Sequence, residues 1–88
     1  MQSLVECVPN FREGRKPERV RLIAEAISSV ETACVLDMHI DPDHNRSVIT
    51  FVASPQRVVD AAVNAVRRAS ELIDVDTAEL IAMQAVSS

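Results

Sequence analysis

"VLDMHIDPDHNRSVITF", residues 35–51, decides how this chain folds. Before the turn, apolar residues alternate with polar ones. The alternation predicts a strand over Thr32–Ile40 with Cys34, Leu36, Met38 and Ile40 on one face and Val35, Asp37 and His39 on the other, Asp41 continuing the polar side. "DPDHN" then supplies residues that impose or tolerate turn geometry, and "SVITFVA" is a second strand rich in β-branched side chains. Two strands joined by so short a loop make an antiparallel hairpin.

Working outward, Leu4–Val8 reads as a short strand stopped by Pro9, and "NFREGRK" as a loop in which Gly14, the only glycine, makes a tight turn. A single glycine excludes the glycine-rich loops that cradle phosphates. Pro17 opens a helix whose stripe Val20, Ile23, Ala24, Ile27 and Val30 faces a core. Ser54 is placed to cap the next helix, with Pro55 in its first turn and Val58, Val59, Ala62, Ala65, Val66, Ala69, Leu72 and Ile73 on the buried side. Its alanines imply close packing against a sheet. In "AELIAMQAV", Ala, Leu, Glu, Met and Gln favour helix, and Asp76 with Glu79 has the form of a capping box. A short C-terminal helix is therefore expected. The order strand, helix, strand, strand, helix, with a right-handed crossover, defines an α+β fold: a two-layer split βαβ, or ferredoxin-like, antiparallel sheet with both helices on one face.

The 88 residues make one small domain, 48% hydrophobic and 25% charged, with an aliphatic core because there are two Phe and no Trp or Tyr. The apolar runs are too short to span a membrane and no basic, apolar leader is apparent, so a cytoplasmic protein with no membrane partner is expected. Cys7 and Cys34 lack metal or redox spacing and read as unpaired small hydrophobes. Net charge is −4, and five of the nine basic residues (Arg12, Arg15, Lys16, Arg19, Arg21) cluster together. Glu13 and Glu18 interrupt them and no aromatic platform accompanies them, so nucleic acid is not an expected partner.

The hairpin's His and Asp residues admit several readings. Asp37, His39 and Asp41 with His44 form a ligand set acceptable to a divalent metal, but residues two apart on a strand fan out over about 6.5–7 Å. No metal is expected. A plain solvent-facing turn is one alternative, and a ligand-lining face is the other. In the second case Arg46 suits a carboxylate, because a guanidinium binds two oxygens at once.

Two stretches are more specific. "LVECVPNFREGR" (4–15) and "DHNRSVITFVASP" (43–55), the latter followed by a helix ending "ASELID" (69–74), resemble the N-terminal subdomain of the glutamate formimidoyltransferase (formiminotransferase) family. The resemblance covers residues 1 to 75, leaving 76–88 as a diverged C-terminal tail. It implies a folate-dependent transferase of histidine degradation, moving a formimidoyl group between N-formimidoyl-L-glutamate and tetrahydrofolate. Two α/β subdomains then face each other across a substrate tunnel, and Asn10, His39, Asp41, Asn45 and Arg46 become substrate-cleft candidates. The family's catalytic histidine lies in an H-x-G-E-H-P-R segment just after the second helix. Here that place reads "VDTAELIAMQ" (75–84), with Ala82 where the histidine would stand. His39 occupies a strand position where the family carries an acidic residue that assists it.

On this reading the chain is truncated before the catalytic segment, with no catalytic residue of its own, and is inactive alone. The alternative is a non-catalytic binding or assembly module. An open sheet must cover its second face or expose apolar area, from Val35, Ile49, Phe51 or their neighbours, and a homodimer or a separately encoded second subdomain would cover it.

Overall fold

The computed structural model describes residues 3–72 and, through the backbone alone, 78–87. The elements run β1 (Ser3–Phe11), α1 (Pro17–Ser28), β2 (Cys34–Asp41), β3 (Arg46–Ala53), α2 (Val58–Leu72) and β4 (Ala78–Ser87). The four strands form one sheet in the order β2-β3-β1-β4, every neighbouring pair antiparallel. This is the expected α+β split βαβ layer, closed by a strand rather than a terminal helix. β4 pairs with β1 from Ser3↔Ser87 to Phe11↔Ala78. Without it the central strand would leave one row of N–H and C=O groups unpaired, and this tertiary demand overrides the helical leaning of "AELIAMQAV". Asp76, the proposed cap, lies outside the described residues.

One face of the sheet carries the core. Cys7, Phe11, Ile49, Phe51 and Ala53 pack with Val20, Ile23 and Ile27 of α1 and with Val58, Ala61, Ala65 and Ala69 of α2, all at most 4% exposed. The α1 stripe is the one that its spacing predicts. On α2 the buried line runs through Val58, Ala61, Ala65 and Ala69, with Ala62 and Leu72 packed at its margin; Val59 and Val66, expected inside, lie exposed. Ile73 lies outside the described residues. The alanines let the helix axis sit close over the sheet.

Strand parity departs from simple alternation at two places. In β2 the register shifts between Val35, opposite Phe51, and Asp37, opposite Thr50, so that Leu36 is an extra residue. This bulge reverses the phase. Val35 therefore joins Met38 and Ile40 against the core, while Cys34 and Leu36, predicted inside, are exposed. Val35, Ile49 and Phe51 are thus helix-side residues and contribute nothing to the open face. In β1 the strand does not stop at Pro9 but continues to Phe11, with a register shift against β4 at Val8/Pro9. Proline has no N–H to give a central ladder, and the irregularity sits at that step.

The α1–β2 connection contains Thr32 at φ 69°, a left-handed conformation that is strained for a β-branched residue. Its hydroxyl oxygen accepts from Ser54 N at 3.1 Å and pairs with Ser54 Oγ at 3.0 Å. Ser54 is consequently occupied with Thr32 rather than with capping α2. Its carbonyl instead accepts the N–H groups of Arg57 and Val58, both at 2.9 Å.

Ala65 tests the closeness of the layers. Ala65→Leu forces extra methylenes between α2 and its neighbours and is expected to cost about 1–3 kcal/mol. Urea denaturation should show a lower midpoint; an unchanged midpoint would mean that α2 stands off the sheet.

Candidate functional site

The C-terminal end of β1, the β2–β3 turn and the loop leading into α1 meet at one end of the sheet. Residues 12–16 lie against the hairpin. Gly14 N–H donates to Asn45 Oδ1 at 2.9 Å, and Arg15 Nε donates to Pro42 O at 3.4 Å. A Cβ on Gly14 would fall 2.6 Å from Arg46 N and 2.8 Å from Arg46 O, and would also collide with Asp41 O. Gly14 has no positive φ, so glycine is needed here for close approach and not for the tight turn that the sequence suggested.

Glu13 anchors the same loop. It is only 6% exposed, and its carboxylate accepts from Arg19 Nη1 at 3.0 Å and from Arg15 N at 3.3 Å. A buried carboxylate must be paired, and Arg19 pairs it from the first turn of α1. In the sequence both read only as members of a mixed charged cluster. The one available hint was a glutamate beside the chain's only glycine.

The hairpin turn is built from its own polar side chains. Asp41 Oδ1 accepts the backbone N–H groups of Asp43 at 3.0 Å and His44 at 3.3 Å, and Oδ2 lies 2.7 Å from His44 Nδ1. Asn45 adopts φ 50°, which an asparagine tolerates, and its N–H donates to Pro42 O at 3.3 Å. The His44 contact, assisted by those two backbone N–H groups, holds the Asp41 carboxyl below its usual range, with desolvation opposing.

The open face follows from the register. His39 pairs with Val48, and Val48 pairs on its other side with Asn10; Arg46, opposite Asp41, is two residues from Val48 on the same face. Asn10, His39 and Arg46 therefore surround Val48. Asn10 is 8% exposed, while His39 and Arg46 are exposed. Arg46 makes no ion pair among the described residues, so its guanidinium does not engage Asp41 or Asp43 there. Leu4, Val8, Val48 and Val52, all half-buried, give the same face an apolar strip, beside which lie Thr50, Glu6 opposite Val52 and Asp37 opposite Thr50.

Of the five cleft candidates, three converge and two are committed elsewhere. Asp41 spends both oxygens on the turn, and Asn45 gives its carbonyl to Gly14. Among the described residues no three His, Cys, Asp or Glu groups gather as a metal site. Glu79 and Ala82 belong to β4, whose register puts Glu79 opposite Asn10 and Ala82 opposite Val8.

The sheet is covered on one side by the helices, and its other side carries amide, imidazole and guanidinium groups around a valine. This is the architecture of an α+β open-sheet subdomain. The chain belongs to the formiminotransferase family: the formiminotransferase domain, N-terminal subdomain, matches residues 4–79. It is 57% identical over 74 residues to glutamate formimidoyltransferase of Thermoplasma acidophilum, covering 84% of this chain and 24% of that one. It is 49% identical over 74 residues to formimidoyltransferase-cyclodeaminase of Rattus norvegicus, covering 84% of this chain and 14% of the relative. Glutamate formimidoyltransferase of Streptococcus pyogenes serotype M1 is 39% identical over the same length, covering 84% and 25%. The chain thus spans a quarter or less of these relatives.

Two measurements check the site's construction. Gly14→Ala should destabilise the protein by about 3 kcal/mol, because the added carbon meets backbone on both sides. Wild-type stability would separate the loop from the hairpin. For Asp41, whose folded pKa is lowered, the turn's stabilisation is fully present above the ordinary carboxyl value of about 3.9 and is lost as pH falls through the lower folded value. Titration of the Asp41 side chain by NMR should give a midpoint below the usual range, and His44→Ala should raise it. An equal midpoint in both proteins would remove the assigned cause.

Proposed function

We propose that this chain supplies the N-terminal wall of a glutamate formimidoyltransferase site, for transfer between N-formimidoyl-L-glutamate and tetrahydrofolate in histidine degradation. Residues 1–75 form the family unit and 76–88 its diverged tail. Family membership over residues 4–79 is the observation that carries this reading. The open face supports it: Asn10, His39 and Arg46 flank Val48, with Arg46 suited to a substrate carboxylate. Asp41 and Asn45 shape the rim from the turn. Tetrahydrofolate joins a flat heterocycle to a glutamate tail, and a valine strip beside a guanidinium fits one wall of a site for it.

These 88 residues do not perform the transfer alone. A proton-handling group must come within about 3 Å of the reacting atom; positions 75–88 contain no His, Cys, Lys or Arg, and nothing in its spacing singles out Glu79 as the acid or base. The missing group and the opposing wall come from a second subdomain or another chain. The setting for this chemistry is the cytoplasm, and among the described residues no helix is long and apolar enough to cross a membrane. A second reading is a non-catalytic assembly module that pairs through the open face, favoured by the half-buried Leu4, Val8, Val48 and Val52.

A transferase assay with both substrates should show no turnover by the 88-residue chain. Added second subdomain from a relative should restore it, and in that mixture Arg46→Ala should raise KM for formimidoyl-glutamate about 10- to 100-fold, as loss of hydrogen bonds to a charged group does. Turnover by the chain alone would refute the claim of inactivity. An unchanged KM would remove Arg46 from the carboxylate site.

A further inference from the structure

The end of the open face away from the Gly14 loop carries a carboxylate that the site around Val48 does not use. Glu6 stands on β1, one of the two inner strands, with Val52 opposite it on β3 and Gln84 opposite it on β4. Cys34 is opposite Val52 on β2, so the row across the sheet reads Cys34, Val52, Glu6 and Gln84 and brings no cation. Glu6 is half-buried and makes no ion pair among the described residues. A carboxylate partly withdrawn from water and left unpaired carries a cost that a bound donor removes.

Asn10 repeats the pattern four residues along the same strand. It is 8% exposed, and its side-chain amide makes no hydrogen bond among the described residues. The register that sets Val48 opposite Asn10 and Val52 opposite Glu6 puts Glu6 about 13 Å from Asn10 and about 20 Å from Arg46 along the strands. The face therefore runs from a guanidinium, past a buried amide beside an imidazole, over an apolar strip, to a carboxylate. A glutamate derivative held at Arg46 by its carboxylate brings its formimidoyl group to the level of Asn10 and His39 and stops short of Glu6. What Glu6 can meet is the second substrate. The tetrahydrofolate ring system has a nucleophilic nitrogen on its reduced edge, and on the opposite edge its N3–H and 2-amino group are adjacent donors that match the two oxygens of one carboxylate.

Resting on the transferase reading above, we infer that Glu6 is a specificity-determining residue of this site. Its carboxylate accepts from N3–H and the 2-amino group of tetrahydrofolate, and the ring lies over Val8 and Thr50 with its nucleophilic edge turned toward Asn10. Asp37, the other carboxylate on this part of the face, is exposed on the outer strand β2 and remains hydrated.

The test is an NMR titration of the isotopically labelled 88-residue chain, with a relative's second subdomain added, using 5-formyltetrahydrofolate as a stable tetrahydrofolate. The amides of Glu6, Val8 and Val52 should shift. Glu6→Gln, which keeps the side chain's shape, should weaken binding about 10- to 100-fold, as loss of hydrogen bonds to a charged group does. A 2-desamino analogue of the same ligand should bind the wild type at least about tenfold more weakly than the parent, yet differ from it by no more than about threefold on E6Q, because ligand group and side chain act as one pair. A merely structural Glu6 would weaken both ligands alike. Unchanged binding by E6Q, equal discrimination by both proteins, or the same loss from Asp37→Asn instead would overturn the assignment of Glu6 and leave the transferase reading standing. No binding of 5-formyltetrahydrofolate to the wild type would remove both.

Discussion

A chain of this size with two phenylalanines and no larger aromatics can fill one core, and it fills the space between two helices and one face of a sheet. Everything else in the molecule follows from that one-sidedness. Both Phe11 and Phe51, with the isoleucines of α1, are drawn to the helical side. What remains for the other side is a strip of half-buried valines between polar groups. Such a surface is too wet to be a second core.

The site end of that face is held by backbone proximity more than by side-chain packing. Gly14 brings the post-β1 loop onto the hairpin, Asn45 catches its N–H, and Glu13 ties the loop to the start of α1 through Arg19. Asn10 and Arg46, two members of the polar group around Val48, sit on the two strands that this stitching joins. Their relative placement thus depends on Glu13, Gly14 and Asn45. Asp41 and His44 add rigidity to the turn without themselves reaching into the face.

Much of this was legible in the residues. The α1 stripe, the hairpin and the placement of the helices on one side came from periodicity, and Asp37 and His39 on the open face came from period-two alternation. The motif "VECVPNF" with "NRSVITFV" led to the family. Other features depend on partners distant in sequence. The bulge at Leu36 has no local marker, yet it exchanges Val35 for Cys34 and Leu36 at the core. Nothing in the composition of "AELIAMQAV" reveals that β1 offers an open ladder, and helix propensity pointed the wrong way. Glu13 read only as an interruption of a basic cluster because Arg19, its partner, is six positions on. Asn45 looked available because its carbonyl's recipient lies thirty-one residues earlier. Val59 and Val66 of α2 were read as core because the helix is apolar over more than the arc its neighbours can cover.

The sheet's two outer strands are guarded unequally. β2 is bent by its bulge and carries Asp37, His39 and Asp41, devices that discourage another strand from docking along it. β4 contains no proline and a single charged residue, Glu79, in ten positions. Edge-to-edge growth, whether as a strand donated by a neighbouring molecule or as the start of a fibril, therefore has its easiest template along β4.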